Sequence, residues 1–130
     1  MGKTPGQKWS EQILQYRKTC QRILSISKSI RYVGLINEYG RTLTGIIRPG
    51  TRTFLSDQLA RNEFFFTSTF FSMRKKDSHR LGRMDYAIFK HEKVTVIISQ
   101  RNEGTYYVSV SKHTGPQAIT KIIIKIRKMI

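Results

Sequence analysis

Three strand-forming runs in the second half of the chain are separated by turns too short for anything but hairpins. Residues 85–91, 94–100 and 105–112 are rich in β-branched and aromatic side chains. A tight turn near His91-Glu92-Lys93 joins the first two, and Asn102-Glu103-Gly104 joins the last two. A parallel crossover needs a dozen or more residues, so these strands pair antiparallel. A second β-rich pair lies upstream. Residues 30–37 and 42–47 flank the turn Glu38-Tyr39-Gly40-Arg41, and Pro49-Gly50 ends the second strand. The expectation is one five-stranded antiparallel sheet.

Three segments with helical periodicity surround these strands. Ser10 reads as an N-cap with Glu11 in the first turn, and Trp9 with Leu14 as a hydrophobic staple. Ile13, Tyr16, Cys20, Ile23 and Leu24 then recur at helical spacing, which predicts a helix over about 10–28. Ser56 and Asp57 start a second helix that runs to about 75. Leu59, Phe66, Phe70 and Met73 line one face of it, while Phe64, Phe65 and Phe71 extend the apolar surface to another. Such a helix is either central or packed on a partner. Residues 74–84 read as a basic connection. The last helix is capped at Thr114 or Gly115, with Pro116 in its first turn. Ile119, Ile122, Ile123, Ile126 and Ile130 form its stripe, and Lys121, Lys125 and Lys128 form a cationic face. The order α-β-β-α-β-β-β-α makes this an α+β fold, with helices on both faces of the sheet. Residues 1–9 are expected as a flexible basic arm and residues 10–130 as a single domain.

That order resembles the roadblock fold, a compact relative of the profilin-like and longin folds. In that family the first and last helices cover one face of the sheet and the middle helix covers the other. The resemblance implies a homodimer in which the middle helices pack together and the sheets join edge to edge. It also implies a platform acting beside small GTPases, with Phe64, Phe65 and Phe71 at the dimer interface. The run Lys28-Ser29-Ile30-Arg31-Tyr32-Val33-Gly34-Leu35-Ile36-Asn37, followed by Gly40-Arg41, is similar to the start of a family of small archaeal proteins of unassigned activity. That likeness implies an archaeal origin more than a chemistry.

Charge bears on function more than on fold. The chain has 24 Lys and Arg against 8 Asp and Glu, for a formal net charge of +16 spread along its 130 residues. A compact body at this charge repels itself, which favours an anionic partner. Five cations, Arg74, Lys75, Lys76, Arg80 and Arg83, fall within ten residues and are offset only by Asp77. With Lys121, Lys125 and Lys128 they are the candidate nucleic-acid-binding residues, since phosphate contacts draw on such clusters. The ordinary reading of each is a solvated face, or cations favoured at a helix C-terminus. Tyr32, Tyr39, Tyr106 and Tyr107 could stack on bases, but packing under a helix is the commoner use of strand aromatics. Arg48 and Arg52 flank a turn with no facing assigned.

Catalytic signatures are missing. The sequence holds no phosphate loop, dinucleotide fingerprint or nucleophile elbow. His79, His91, His113 and the single Cys20 have no metal-ligand spacing, so no metal and no cofactor are expected. One cysteine allows no internal disulfide, the first residues lack an apolar stretch, and apolar runs are too short to span a bilayer. The expectation is a cytoplasmic, non-enzymatic binding protein. Its partner would be RNA or DNA rather than a membrane. The alternative is the homodimeric interaction platform that the roadblock resemblance implies.

Overall fold

The computed structural model describes residues 2–130. Helix α1 (Pro5–Leu24) leads into strands β1 (Ile30–Ile36) and β2 (Thr42–Ile47). Helix α2 (Asp57–Arg74) follows, then a 3-10 turn (Lys75–Asp77) and the short helix α3 (Ser78–Leu81). Strands β3 (Tyr86–Lys90), β4 (Val94–Arg101) and β5 (Gly104–Ser111) precede helix α4 (Pro116–Met129). All strands pair antiparallel in the order β2-β1-β5-β4-β3. The two sets of hairpins therefore meet at β1 and β5, and α2 links the two outer strands.

Local chemistry accounts for the helix ends. Thr4 caps α1 through a reciprocal capping box with Gln7, and Pro5 opens the first turn. The helix thus begins five residues before Ser10, and residues 5–9 are helical where a flexible arm was expected. Ser10 lies inside the helix, its hydroxyl donating to the Gly6 carbonyl. Ser56 caps α2 as expected, accepting from the Leu59 N–H. The expected connection after α2 is partly helical, because the chain tightens into the 3-10 turn and α3 before Gly82 ends it.

Helices on both faces give the sheet two cores. On one side, Cys20 and Ile23 of α1 and Ile119, Ile122, Ile123 and Ile126 of α4 pack on Val33, Leu35, Ile97, Tyr106, Val108 and Val110. Full burial of one such isoleucine contributes about 1.5–3 kcal/mol, so the four from α4 supply a large share of this layer's stability. On the other side, Phe71 of α2 packs on Val96, Ile98 and Tyr107, with Tyr32, Phe64, Phe70 and Phe89 around it. Alternation along β5 sends Tyr106 into one core and Tyr107 into the other. Neither faces solvent, since neither face of the sheet is bare. Burial pushes both phenols upward in pKa, and the hydrogen bond from Tyr106 to Glu103 adds to its shift. Only Tyr39 of the four candidate stacking tyrosines is well exposed, at 70%.

The glycines of the β1–β2 hairpin set how close α2 approaches. Tyr32 lies across Gly34 and Gly45, where any Cβ would strike its ring. The flattened ring then stacks beneath Phe64, with centroids 6.1 Å apart. Gly40 sits in a left-handed turn at φ 81°. A side chain there would meet the backbone of Phe64 and Phe65. Tyr32, laid across Gly34 and Gly45, together with Gly40, is therefore a docking surface for α2.

Candidate functional site

Helix α2 presents opposite surfaces to sheet and solvent. Phe64, Thr67, Ser68 and Phe71 point inward at helical spacing. The two hydroxyls are satisfied within the helix, Thr67 donating to the Glu63 carbonyl and Ser68 to the Phe65 carbonyl. The outward face carries Leu59, Phe66 and Met73 at seven-residue spacing, with Phe65 beside them, each 51–62% exposed. Of the three phenylalanines expected at a seam, Phe71 is buried in the chain's own core and Phe64 is half-buried on Tyr32 and Tyr107. Phe65 alone stands in solvent. Leu59, Phe66 and Met73, which share the face that the sequence pattern assigns them, form an exposed stripe, while Phe70 of that face is partly buried.

This apolar face adjoins an open sheet edge. Phe70 meets Phe89 of β3 edge-on at 5.3 Å, which brings the C-terminal half of α2 over the outermost strand. Among the described residues no strand pairs beyond β3, whose Ala87 and Phe89 face α2, while Tyr86 and Ile88 alternate to the α4 side and are more than two-fifths exposed. The opposite edge is differently treated. Trp9, Ile13 and Leu14 of α1 border β2 across an open groove of about 580 Å³ that includes Leu43. Arg17 of the same helix reaches the Gly45 carbonyl of β2 at 3.5 Å. Trp9 and Leu14 serve this groove instead of stapling a helix start. An uncovered edge strand is a template for pairing with another chain.

The basic residues fall into three structural groups. Arg48 is internal. Its guanidinium donates to the carbonyls of Leu24, Ser27 and Ile30 and so closes the C-terminal end of α1. Arg31 is likewise engaged, with the Arg52 carbonyl and the Phe54 ring. The second group lies on the helical layer of α1 and α4. Lys8, Arg17, Lys18 and Arg22 of α1 are joined by Lys121, Lys125, Arg127 and Lys128 of α4, against Glu11 alone. Lys121, Lys125 and Lys128 are exposed, as their spacing predicts.

The third group gathers where α2 ends. Arg74, Lys75 and Arg83 join Arg101 around a cleft of about 420 Å³, lined also by Met84 and backed by the buried Phe71. Ser78 and Asn102 add neutral polar groups to its wall. Among the described residues, Arg74, Lys75, Lys76, Arg80 and Arg83 have no carboxylate within ion-pair distance. Asp85 is held by both Arg101 at 3.0 Å and Arg127 at 2.6 Å. Lys76 and Arg80 lie on the exposed connection outside the cleft lining. Sequence reasoning found the cluster but missed Arg101, which only the β4–β5 turn brings to it.

Among the described residues no cluster of His, Cys, Asp and Glu could hold a metal ion. No helix among them is long and apolar enough to cross a membrane. Cys20 is buried and free, and its burial pushes the thiol up to about 11.

The arrangement of two helices on one side of this five-stranded sheet and one on the other decides the architecture. The fold is roadblock-like. Gliding protein MglB from Thermus thermophilus matches it with a TM-score of 0.67 at 14% identity, covering 99% of this chain and 87% of that one. MglB of Myxococcus xanthus gives a TM-score of 0.69 at 11% identity, over 92% and 86%. A Roadblock/LC7 domain from Streptomyces avermitilis gives 0.61 at 9% identity, over 85% and 90%. No family model and no curated protein sequence matches the roadblock-like chain.

Proposed function

We propose that this chain is a homodimeric, non-enzymatic interaction platform of roadblock type, acting in the cytoplasm with a small GTPase or another protein as its partner. The observation that carries the proposal is the outward stripe Leu59, Phe66 and Met73 beside the open edge of β3. Exposed apolar side chains on a helix near an unpaired strand are what a self-complementary interface covers. Two copies related by a two-fold axis would bury α2 against α2 and extend the sheet through β3. The roadblock-like fold supports the reading, and one similar MglB structure is described as having a tetrameric arrangement. Sedimentation of the purified chain tests it. The proposal expects a mass of twice 15.2 kDa that falls to 15.2 kDa in Phe66→Glu. A wild-type monomer at every accessible concentration would overturn it.

A second reading rests on the basic surfaces. The α1–α4 layer carries eight cations and one acid, and the α2 terminus adds five cations without an ion-pair partner. This supports association of the platform with RNA, DNA or a ribonucleoprotein through phosphates, with little sequence preference. Titration into labelled RNA and duplex DNA at two salt concentrations tests it. Absence of binding at low salt would remove the reading and leave the platform alone.

A further inference from the structure

The cleft at the C-terminal end of α2 differs from the other basic surfaces in being concave and partly apolar. Its volume of about 420 Å³ falls inside the range of about 300–1,000 Å³ usual for small-ligand pockets. Arg74, Lys75, Arg83 and Arg101 converge on it from three parts of the chain, beside the partly exposed Met84, with the buried Phe71 behind it. Three terms oppose an anion there. The C-terminal dipole of α2 is worth about half a negative charge. Asp77, next to the lining residue Ser78, adds one, and Asp85 adds one more and is shared with Arg127. Four cations outweigh all three, leaving about one to two positive charges in excess. Arg83 lies outside α2 and has no carboxylate partner among the described residues, so its donors are free for a ligand.

We propose that this cleft binds a nucleotide-sized oligophosphate, its phosphates on Arg74, Lys75 and Arg83 and its apolar part against Met84. Arginine forks suit phosphate oxygens bidentately, and Lys75 adds a point charge. Arg101, fixed by Asp85 and by the Gln100 carbonyl, forms a rigid wall. The inference requires neither self-assembly nor polynucleotide binding.

Calorimetric titration of the full chain with ATP and with inorganic tripolyphosphate tests it. ATP is expected to bind more tightly than tripolyphosphate, because only ATP can also pack against the partly exposed Met84. Arg83→Glu and Lys75→Glu should each weaken ATP by about tenfold or more. The remote double variant Lys121→Glu/Lys125→Glu removes more charge but should weaken it by less than about threefold. Thermal unfolding of each variant confirms that the fold is kept, and both cleft side chains are exposed. Equal losses from the cleft and remote variants would overturn the proposal in favour of the general field. So would an oligonucleotide that binds where ATP does not, or tripolyphosphate binding as tightly as ATP.

Discussion

Helix α2 carries two acids and two bases and leaves Leu59, Phe65, Phe66 and Met73 in solvent. Across the sheet, α1 and α4 together carry eight cations and one acid above a closed isoleucine core. The first surface is neutral, apolar and incompletely covered, and the second is well packed inside and highly charged outside. A chain with net charge +16 can associate with its own copy only where repulsion is low, and α2 provides that surface. The same repulsion keeps the α1–α4 layer available to anions. The two faces therefore suit two kinds of partner.

The contrast runs even through α2 itself, between Phe71 and Phe66. Truncating Phe71 to Ala should destabilise the protein by about 3–5 kcal/mol, since it empties the core on that side. Phe66→Ala should change the stability of the monomer by no more than about 0.5 kcal/mol. Denaturant unfolding at concentrations below dimer dissociation separates the two. Charging the outward face as Phe65→Glu/Phe66→Glu should raise the dimer dissociation constant about a hundredfold or more, measured by sedimentation. Gly34→Ala, which displaces Tyr32 from beneath α2, should cost about 1–3 kcal/mol in the same unfolding assay.

Alkaline titration probes the opposite core. The Cys20 thiol stands near 11 in the fold against 9.0 for an ordinary thiol, because burial disfavours the thiolate. The contribution is full below pH 9, where both states hold the proton. It is lost as pH rises from 9 towards 11, since the unfolded chain releases its proton first. The thermal midpoint should fall across that window, and less so in Cys20→Ala. The smallest stability change is expected from Lys121→Glu/Lys125→Glu, about 0.5 kcal/mol or less. Its effect on polyanion binding should be clearer, lowering the logarithmic salt slope by about two for duplex DNA. An unchanged slope would place the phosphate contacts elsewhere.

Most of the fold was legible because patterns and turns agreed. The short turns at residues 91–93 and 102–104 dictated antiparallel pairing, and Pro116 with the isoleucine stripe dictated α4. The start of α1 is less legible: Thr4, Pro5 and Gln7 carry a capping box, but Pro5-Gly6 beside Lys3 reads equally as a loose arm. The facing of α2 was harder to read. Seven-residue spacing of Leu59, Phe66 and Met73 looks like a core stripe, while the true inward face includes Thr67 and Ser68. Those hydroxyls are buried at no cost in unmet hydrogen bonds because their own helix accepts them. The deciding contact, Gly40 against the Phe64–Phe65 backbone, is tertiary. For the same reason the basic run 74–83 was visible as charge but not as a cleft, since Arg101 arrives from a distant hairpin.

Amide hydrogen exchange recorded at high and low protein concentration tests the assignment of the two faces most directly. The account predicts that protection rises with concentration in residues 59–73 and 86–90 and stays constant in residues 8–22 and 116–128. Concentration-dependent protection confined to α1 and α4, or absent everywhere, would contradict it.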